Sequence, residues 1–571
     1  MDTVAIIIAV NNEESKNRIE QLFNNIKSVG YCKIDIYFIN KNGNTAAAYN
    51  KVLCMIKANY ILYIREDIFK MSSEWLFHLI RRRSTYGKKF AIGFLGSYLT
   101  ISGNFLKKNK IYGSYRYIKD CDIITTNACG NVYRKVVNIL DSAVLFTNVN
   151  IKWNESVGEY FYMAAYCSEL RKENINPFIL EDVIRYEPVM GRPSDFEYVD
   201  DIERYERELH EFNYQYKDVL RPLVSIGIPT YNNPNFFKLA LESALSQDYD
   251  NIEIIIGDDS TNDDTKELMQ VYLSKYKNIK YINNGGPLGQ RGGINSRNIL
   301  NSCSGDYINL LYHDDIIYPK KISTMMEVFA QDVERSIGFV TSGRNIINEN
   351  GEIFIPYRNN KNNLYERIDG RLFGKEFFIS YSNYIGEHST VLIRRECLQL
   401  KNSELDIGRF WGIKDWNIGD ISTWLDICRK KDFIYIHEAL SEFRLTLLES
   451  QNSNDEEMNI EAKFEYLLMT VMAWLNEEYI YNENEFKNAC ICWQRVIYPG
   501  ISVKNEDKIS EKVMFKIKFM VACDKLITQN NMNVLLDLLI RYLIVNEEND
   551  ADLHLYCKYD EIHEKWIKRN R

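Results

Sequence analysis

Between Leu223 and Phe329, short apolar runs alternate with longer stretches in which apolar positions recur every three or four residues. The runs LVSIGI, IEIIIG, IKYIN and YINLLY have the length of strands and are apolar on both faces. The stretches opening at Pro234, Thr265, Gly292 and Pro319 carry the period of helices. Strands that are apolar on both faces need cover on both sides, and helices between them make parallel crossovers. The segment therefore predicts a doubly wound α/β sheet. In such sheets ligands lie in the crevice beyond the carboxyl ends of the strands, so the residues just after each strand are the ones to read.

The first half of the chain repeats the theme. VAIIIAV, KIDIYFI and YILYI read as strands, with helices from Glu14 and over NTAAAYNKVLCMIK. Asn50 to Asp67 falls into step with Asn298 to Asp315 at identical spacing, which is the mark of an internal repeat. The first copy is shorter: ten residues separate Asn40 from Asn50, against forty between Asp258 and Asn298, so one βα unit is missing. Charged and aromatic residues at helical spacing fill Ser194 to Leu220, and Arg221 and Pro222 then open the second sheet. After Glu449 the polar run ESQNSNDEE leads into helices such as KFEYLLMTVMAWL and MFKIKFMVACDKL. These patterns predict a first α/β domain over 1–193, a helical linker over 194–221, a second α/β domain over 222–449 and a helical appendage over 450–571.

At 571 residues the chain is too long for one core and long enough for two or three. The net charge of -9 is modest and spread along the chain, leaving no basic field for nucleic acid or an anionic membrane. MNVLLDLLIRYLIVN is the most apolar run near the C-terminus, but it is too short to span a bilayer and carries Asp537 and Arg541, so it reads as a buried helix. The N-terminus lacks a basic stretch and a cleavage site, which makes VAIIIAV a core strand and the cytoplasm the expected compartment. Twelve cysteines sit mostly in apolar segments without framework spacing, and Cys490 and Cys492 lack a second pair at zinc-ligand distance.

The predicted strand ends of the second sheet collect acids. Pro229, Thr230, Tyr231 and Asn232 follow its first strand, Asp258 and Asp259 its second, and His313, Asp314 and Asp315 the YINLLY strand. Hard carboxylate oxygens beside phosphates suit magnesium or manganese, and a strand-end carboxylate suits a ribose or base. The same acids could instead cap the helices that follow them. His313 could touch phosphate or simply be packed. Arg291 and Arg297, in GQRGGINSRN, could meet phosphate or acceptor, and His388 in GEHST could line the acceptor side or be a plain loop residue.

PTYNN, IIIGDDSTNDDT, SRN, GDYINLLYHDD and GDISTWLDICRKKDFIYIHEALSEFR follow one another in one order over Pro222 to Arg444. This set resembles the family 2 glycosyltransferases of GT-A fold. The resemblance implies that Asp258 contacts the nucleotide, that Pro229, Tyr231, Asn232, Asp259, Arg297 and His313 belong to the same nucleotide site, and that Asp314 with Asp315 holds Mn2+ or Mg2+ on the diphosphate. It makes Asp420 the base that takes the acceptor's proton during inverting transfer; the alternatives are that Asp420 caps its helix or that Asp415 is the base. Two positions depart from the family pattern: Tyr312 stands where its acidic motif opens with aspartate, and Thr446 stands near where a histidine commonly follows Arg444.

The first half resembles GT-A domains more loosely, in NTAAAYN, YILYIREDI and Leu140 to Glu155. Asn40 replaces the nucleotide-binding aspartate, Glu66 stands opposite Asp314, and Phe161, Tyr162 and Met163 lack the expected acid. A scaffold, acceptor-docking or dimerisation role is the expectation there, and a homodimer is compatible with it. The predicted partners are a nucleotide-sugar donor, UDP-linked in the simplest case, and a surface glycan or a flagellin- or adhesin-like protein as acceptor. Two rivals stand: a nucleotidyltransferase, which should carry a glycine-rich, lysine-bearing first loop that PTYNNPN does not match, and a decayed, non-catalytic binding module.

Overall fold

The computed structural model describes residues 2–568 apart from 24–25, 27, 30–31, 41, 67, 71–72, 83–87, 94, 98–110, 114, 120–121, 127–132, 136–137, 140–143, 159–160, 174, 176, 181–188, 191–201, 217–218, 220, 333–334, 360, 401–402, 409, 411–416, 446–454, 501–508, 547–556 and 561–564. Asp415 and Thr446 lie outside the described residues, as do the expected boundaries at 193 and 449. The chain divides into two units, Met1–Pro222 with Met326–Arg335, and Leu223–Met325 with Ser336–Arg571.

In the first unit, β1 (Thr3–Val10), α1 (Glu13–Phe23), β2 (Cys32–Asn40), α2 (Thr45–Leu53) and β3 (Tyr60–Arg65) are followed by β4 (Ala91–Gly93), β5 (Val144–Thr147), α3 (Tyr162–Lys172), β6 (Phe178–Leu180) and α4 (Ile202–Gln215). The strands lie in the order β2-β1-β3-β5-β4-β6, with β5 antiparallel to both neighbours and the other pairings parallel. α4 falls in the region expected to be a linker, yet it is packed onto this unit. Phe212 stacks on Phe161 with ring centroids 5.4 Å apart, and Asn154 donates to Gln215 at 2.7 Å and to the Tyr216 hydroxyl at 2.9 Å.

The second unit runs through β7 (Val224–Thr230), α5 (Pro234–Leu245), β8 (Ile252–Asp258), α6 (Asp264–Lys275), β9 (Ile279–Asn283), α7 (Gly293–Ser302), β10 (Tyr307–Leu310), β11 (Ile316–Ile317) and the first part of α8 (Lys321–Gln331), which from Met326 is grouped with the first unit. It continues through β12 (Ile337–Ile347), α9 (Gly370–Ser380), β13 (Leu392–Arg394), α10 (Gly419–Cys428) and β14 (Asp432–Arg444). Its sheet order is β9-β8-β7-β10-β13-β12-β14-β11. From β8 to β14 the order and the sense of each pairing match those of the first unit from β2 to β6. β9 extends the second sheet in parallel, where the first sheet carries only the antiparallel Ser28–Val29. Both units are thus GT-A-like α/β sheets, mostly parallel rather than wholly so, because one short strand, β5 in the first and β13 in the second, enters antiparallel.

Two glycines set how closely the helices press on the second sheet. A Cβ at Gly227 would stand 2.5 Å from Ile299 Cγ2, and one at Gly257 would stand 2.1 Å from Asn295 Oδ1. α7 therefore lies directly on β7 and β8, and Asn295 donates to the Gly257 carbonyl at 2.9 Å. The four C-terminal helices, α11 (Glu456–Leu475), α12 (Glu483–Val496), α13 (Glu511–Thr528) and α14 (Met532–Asn546), are not a separate appendage. Phe464, Leu467, Trp493, Met520 and Leu539 share one buried cluster with Phe339, Trp424 and Phe433 of the sheet domain. Burying a side chain of this size is worth about 1.5–3 kcal/mol, so these helices and the sheet stabilise one another. Among the described residues no helix is long and apolar enough to cross a membrane.

Candidate active site

Pro229, Tyr231, Asn232, Asp258 and Asp259, expected to hold the nucleotide, meet where β7 and β8 end side by side. Thr230 pairs with Asp258 and Pro229 with Gly257 in the ladder. Asp258 is fully buried and accepts from the Ser260 amide at 2.9 Å and from the Tyr281 hydroxyl at 2.6 Å. Asp259, also buried, accepts from Asn284 at 2.8 Å. Asn232 has a positive φ of 47° and closes the loop against the next strand end, its amide donating to Ser260 at 2.9 Å and its side-chain oxygen accepting from the Thr261 amide at 2.9 Å. Tyr231 beside it is 45% exposed, a ring presented to solvent at the mouth. The N-cap of α6 is Asp263, so Asp258 and Asp259 shape the strand end rather than cap that helix.

Arg291 and Arg297 lie on and just after a loop in which Gly285, Gly286, Gly289, Gln290, Arg291 and Gly292 all have positive φ. Arg297 donates to Gln290 of this loop, while Arg291 pairs with Asp455 at 3.2 Å, ahead of α11. In the structure as it stands, Arg291 is engaged on the C-terminal helices.

The turn after β10 brings the other acids in. His313 and Asp314 are half-buried, and Asp315 is buried. One Asp315 oxygen accepts from the Arg444 amide at 3.1 Å, and the other is buried without a hydrogen-bond partner. Burial, with Asp314 and Glu387 nearby, holds the Asp315 carboxyl well above its ordinary range. The Arg444 guanidinium donates to the Asp314 carbonyl at 2.9 Å and lies over the Phe236 ring, which fixes the turn from β14. Tyr312, where the family pattern has an acid, is a packing residue. Its amide donates to Ser389 at 3.0 Å and its hydroxyl lies 3.2 Å from His388 Nδ1, and burial beside Asp420 and Asp315 raises its pKa.

Asp420 stands in the first turn of α10 and is not its N-cap residue, which is Ile418, but its carboxylate meets the backbone N–H groups of Asp420 and Ile421 at the helix start. It accepts from Asn383 at 2.8 Å. Burial raises its pKa, opposed by backbone N–H groups of the helix start, by Arg344 and by Asn383. The sequence did not mark out Arg344, Glu387, Lys321 or Asn383. Glu387 is buried beside Asp420, with Arg344 Nε 2.9 Å from its Oε1 as an ion pair off the line of a hydrogen bond, and desolvation lifts its pKa to about 7. Lys321, fully buried, donates to the Ser389 carbonyl, and desolvation lowers its pKa to about 7 while Glu387 and Asp315 oppose the shift. His388 is buried in the same cluster, 5.1 Å ring to ring from Trp424, and desolvation lowers its pKa to about 4. The local EH dipeptide before STVLIRR was the one available signal, and His388 but not Glu387 was read from it.

Among the described residues no cluster of three or more His, Cys, Asp or Glu could enclose a metal. Magnesium-type sites instead use one or two carboxylates and complete the shell with substrate phosphates and water. Asp314 and the unpartnered Asp315 oxygen fit that donor set. A depression of about 560 Å³ in the first unit, lined by Phe23, Lys33, Ile34 and Tyr37 among others, is remote in sequence from these acids. It gathers no set of converging catalytic groups.

Residues 225–398 match the model of Glycosyl transferase family 2, and residues 5–202 that of a Glycosyltransferase like family. Protein CgeD of Bacillus subtilis is 27% identical over 224 residues, which are 38% of this chain and 49% of that protein, so the chain spans about half of that relative's length. The GalNAc(5)-diNAcBac-PP-undecaprenol beta-1,3-glucosyltransferase of Campylobacter jejuni is 24% identical over 302 residues, 52% of this chain and 88% of that protein. S. aureus TarS 1–349 in complex with UDP-GlcNAc aligns over 61% of this chain and 96% of its own at 13% identity, with a TM-score of 0.34 that is too low to build on. By the match over residues 225–398, the second unit is a glycosyltransferase family 2 domain, and it follows a first unit that matches a glycosyltransferase-like family.

Proposed function

We propose that the second unit transfers a glycosyl group from a nucleoside diphosphate sugar, UDP-linked in the simplest case, to an acceptor hydroxyl with inversion at the anomeric carbon. The observation that carries this reading is Asp420. Besides the N–H groups at the start of α10, its carboxylate is held by Asn383, in the cluster that also contains Asp315 and Glu387. In this reading Tyr231, Asn232, Asp258 and Asp259 bind the nucleoside, with Pro229, Arg297 and His313 beside them. Asp314 and Asp315 would hold Mn2+ or Mg2+, which when bound supplies positive charge against the departing diphosphate. Asp420 takes the proton from the acceptor hydroxyl as that oxygen attacks the anomeric carbon, and the buried surroundings raise its basicity toward the neutral range where general bases work best.

The Campylobacter relative is named for a GalNAc(5)-diNAcBac-PP-undecaprenol acceptor, which supports a glycan over a flagellin- or adhesin-like protein here. The test is hydrolysis of a panel of UDP-, GDP- and dTDP-sugars with manganese, for wild type, Asp314→Ala and Glu66→Ala. Metal-dependent turnover of one donor, abolished by Asp314→Ala and spared by Glu66→Ala, is expected. Loss with Glu66→Ala alone would move the activity to the first unit, and neither turnover nor nucleotide binding would favour a decayed binding module.

A further inference from the structure

Asp420 is bracketed by two segments far from it in sequence. On one side, the loop after α9 places Asn383, whose Nδ2 donates to Asp420 Oδ2 at 2.8 Å and whose Oδ1 accepts from the Gly386 amide at 3.2 Å. Gly386 has φ +98°, and a Cβ there would stand 2.9 Å from Arg344 Nη1, so the bend that presents Asn383 requires glycine. Trp424 of α10 donates to the Gly386 carbonyl at 2.9 Å, tying the same loop to the helix that carries Asp420.

On the other side stands α11, the first C-terminal helix, beyond the 225–398 span that the family match covers. Its Glu465 is 8% exposed and lies against the start of α10. Oε2 accepts from the Ile418 amide at 3.1 Å and Oε1 from the Asn417 side chain at 2.6 Å. Ile418 is the N-cap residue and cannot satisfy the helix start with its own side chain. A carboxylate imported from another helix supplies the acceptor and favours the positive end of the helix. Burial of an acid in an apolar core is costly, and nothing in packing alone calls for Glu at this place. Lys516 bonds the neighbouring Glu461 at 2.7 Å, which keeps that acidic stretch of α11 balanced.

We propose that Asn383 and Glu465 are positioning residues for Asp420, so that the C-terminal helices form part of the catalytic apparatus. Asn383 fixes the carboxylate and favours its ionised form; Glu465 fixes the helix turn from which it projects. The proposal rests on the reading of Asp420 as the base. The other charged and titratable groups facing Asp420 are Arg344, Glu387, Tyr312 and Tyr466. None of these is altered by the variants below.

The test compares wild type with Asn383→Ala, Asn383→Asp, Glu465→Gln and Glu465→Ala in the full chain. Hydrogen exchange followed by mass spectrometry over 417–428 needs no turnover. Loss of the acceptor should speed exchange of the Ile418 amide by about tenfold or more in Glu465→Ala; the near-isosteric Glu465→Gln, whose one oxygen can serve only one of the two donors, should speed it less and guards against a variant that fails to fold. With the donor that wild type hydrolyses, kcat should fall about tenfold for Glu465→Gln with KM unchanged. The acid limb of the pH–rate profile should move upward by about one pH unit in Asn383→Ala and further in Asn383→Asp, because a donor to the ionised form is lost and then replaced by a like charge. Unchanged Ile418 exchange, or pH limbs that coincide with wild type, would overturn the positioning roles. If Asp420→Asn turned over donor like wild type, the base assignment would fall, while the exchange result would still decide whether Glu465 holds the helix.

Discussion

His388 offers a prediction whose size follows from one buried ring. It is 3% exposed, and desolvation lowers its pKa from an ordinary 6.5 to about 4. The unfolded chain therefore takes up this proton at a higher pH than the folded one does. Stability from the neutral ring is fully present above pH 6.5 and is lost as pH falls toward 4. At pH 5 the loss amounts to about 2 kcal/mol, and it approaches about 3 kcal/mol well below pH 4, at about 1.4 kcal/mol per pKa unit. Replacing the ring by the neutral side chain in His388→Gln, which can still meet the Tyr312 hydroxyl, removes that titration. A two-unit chain need not unfold in one step, so the assay should report on the second unit by itself. Native-state exchange of the β7 and β10 amides, corrected for intrinsic rates, does so. Between pH 7 and pH 5 wild-type protection should fall about twentyfold more than that of His388→Gln. Parallel losses in the two proteins would refute the reasoning, since they would mean that the folded state accommodates the imidazolium.

Gly257→Ala should cost about 1–3 kcal/mol in urea unfolding, because its methyl would drive α7 off β8 through Asn295. Asp258→Asn should weaken UDP binding in calorimetry by tenfold or more while leaving the fold intact, since the amide oxygen can still accept from the Ser260 N–H and the amide NH2 can donate to the Tyr281 hydroxyl oxygen. Arg291→Ala should change stability by less than about 1 kcal/mol, as expected for an ion pair whose side chains are 36% and 37% exposed, yet it should raise KM for the donor if the loop's arginine swings to phosphate during turnover. Among the described cysteines, Cys54 is exposed and should react first with a thiol reagent in the native protein, ahead of the buried Cys303, Cys428 and Cys490.

How much of this was legible in sequence depended on whether the signal was local. β7, β8 and β10 were readable because each is a continuous apolar run, the last two leading into acids, and the repeat because Asn50 to Asp67 keeps step with Asn298 to Asp315. β13 was not, because three residues, LIR, carry no period, and its antiparallel entry is decided by what it lies between. The cluster around Asp420 draws on Asp315, Lys321, Arg344, Glu387 and Asp420 from five separate elements or loops, and no spacing rule links them. The C-terminal helices showed apolar stripes in sequence, but a stripe does not say which surface it covers. Only the packing shows that Trp493 and Phe464 close the same core as Trp424.

The two units share a strand order but spend their strand-end polar groups differently, and this difference bears on where donor binds. In the second unit Asn232 bonds across to Ser260 and Thr261, Asp258 is shaped by Ser260 and Tyr281, and one oxygen of the turn acid Asp315 has no hydrogen-bond partner. In the first unit Asn40 accepts from the Asn42 amide at 2.9 Å. Glu66, the counterpart of Asp314, takes the Asn11 amide at 2.7 Å and the Asn11 side chain as well. Arg18 donates to the Glu66 and Ile68 carbonyls and holds that turn down. A carboxylate engaged twice by the loop opposite must give up both bonds before it can meet a metal or a phosphate, and a net 1.5–3 kcal/mol for each charged hydrogen bond is a loss of about tenfold or more in affinity apiece. The first unit should therefore bind no nucleotide sugar measurably. Calorimetry on Asp258→Asn combined with Asp314→Ala checks this: the double variant should show no residual UDP binding, and a remaining site of unchanged stoichiometry would place a working nucleotide pocket in the first unit after all.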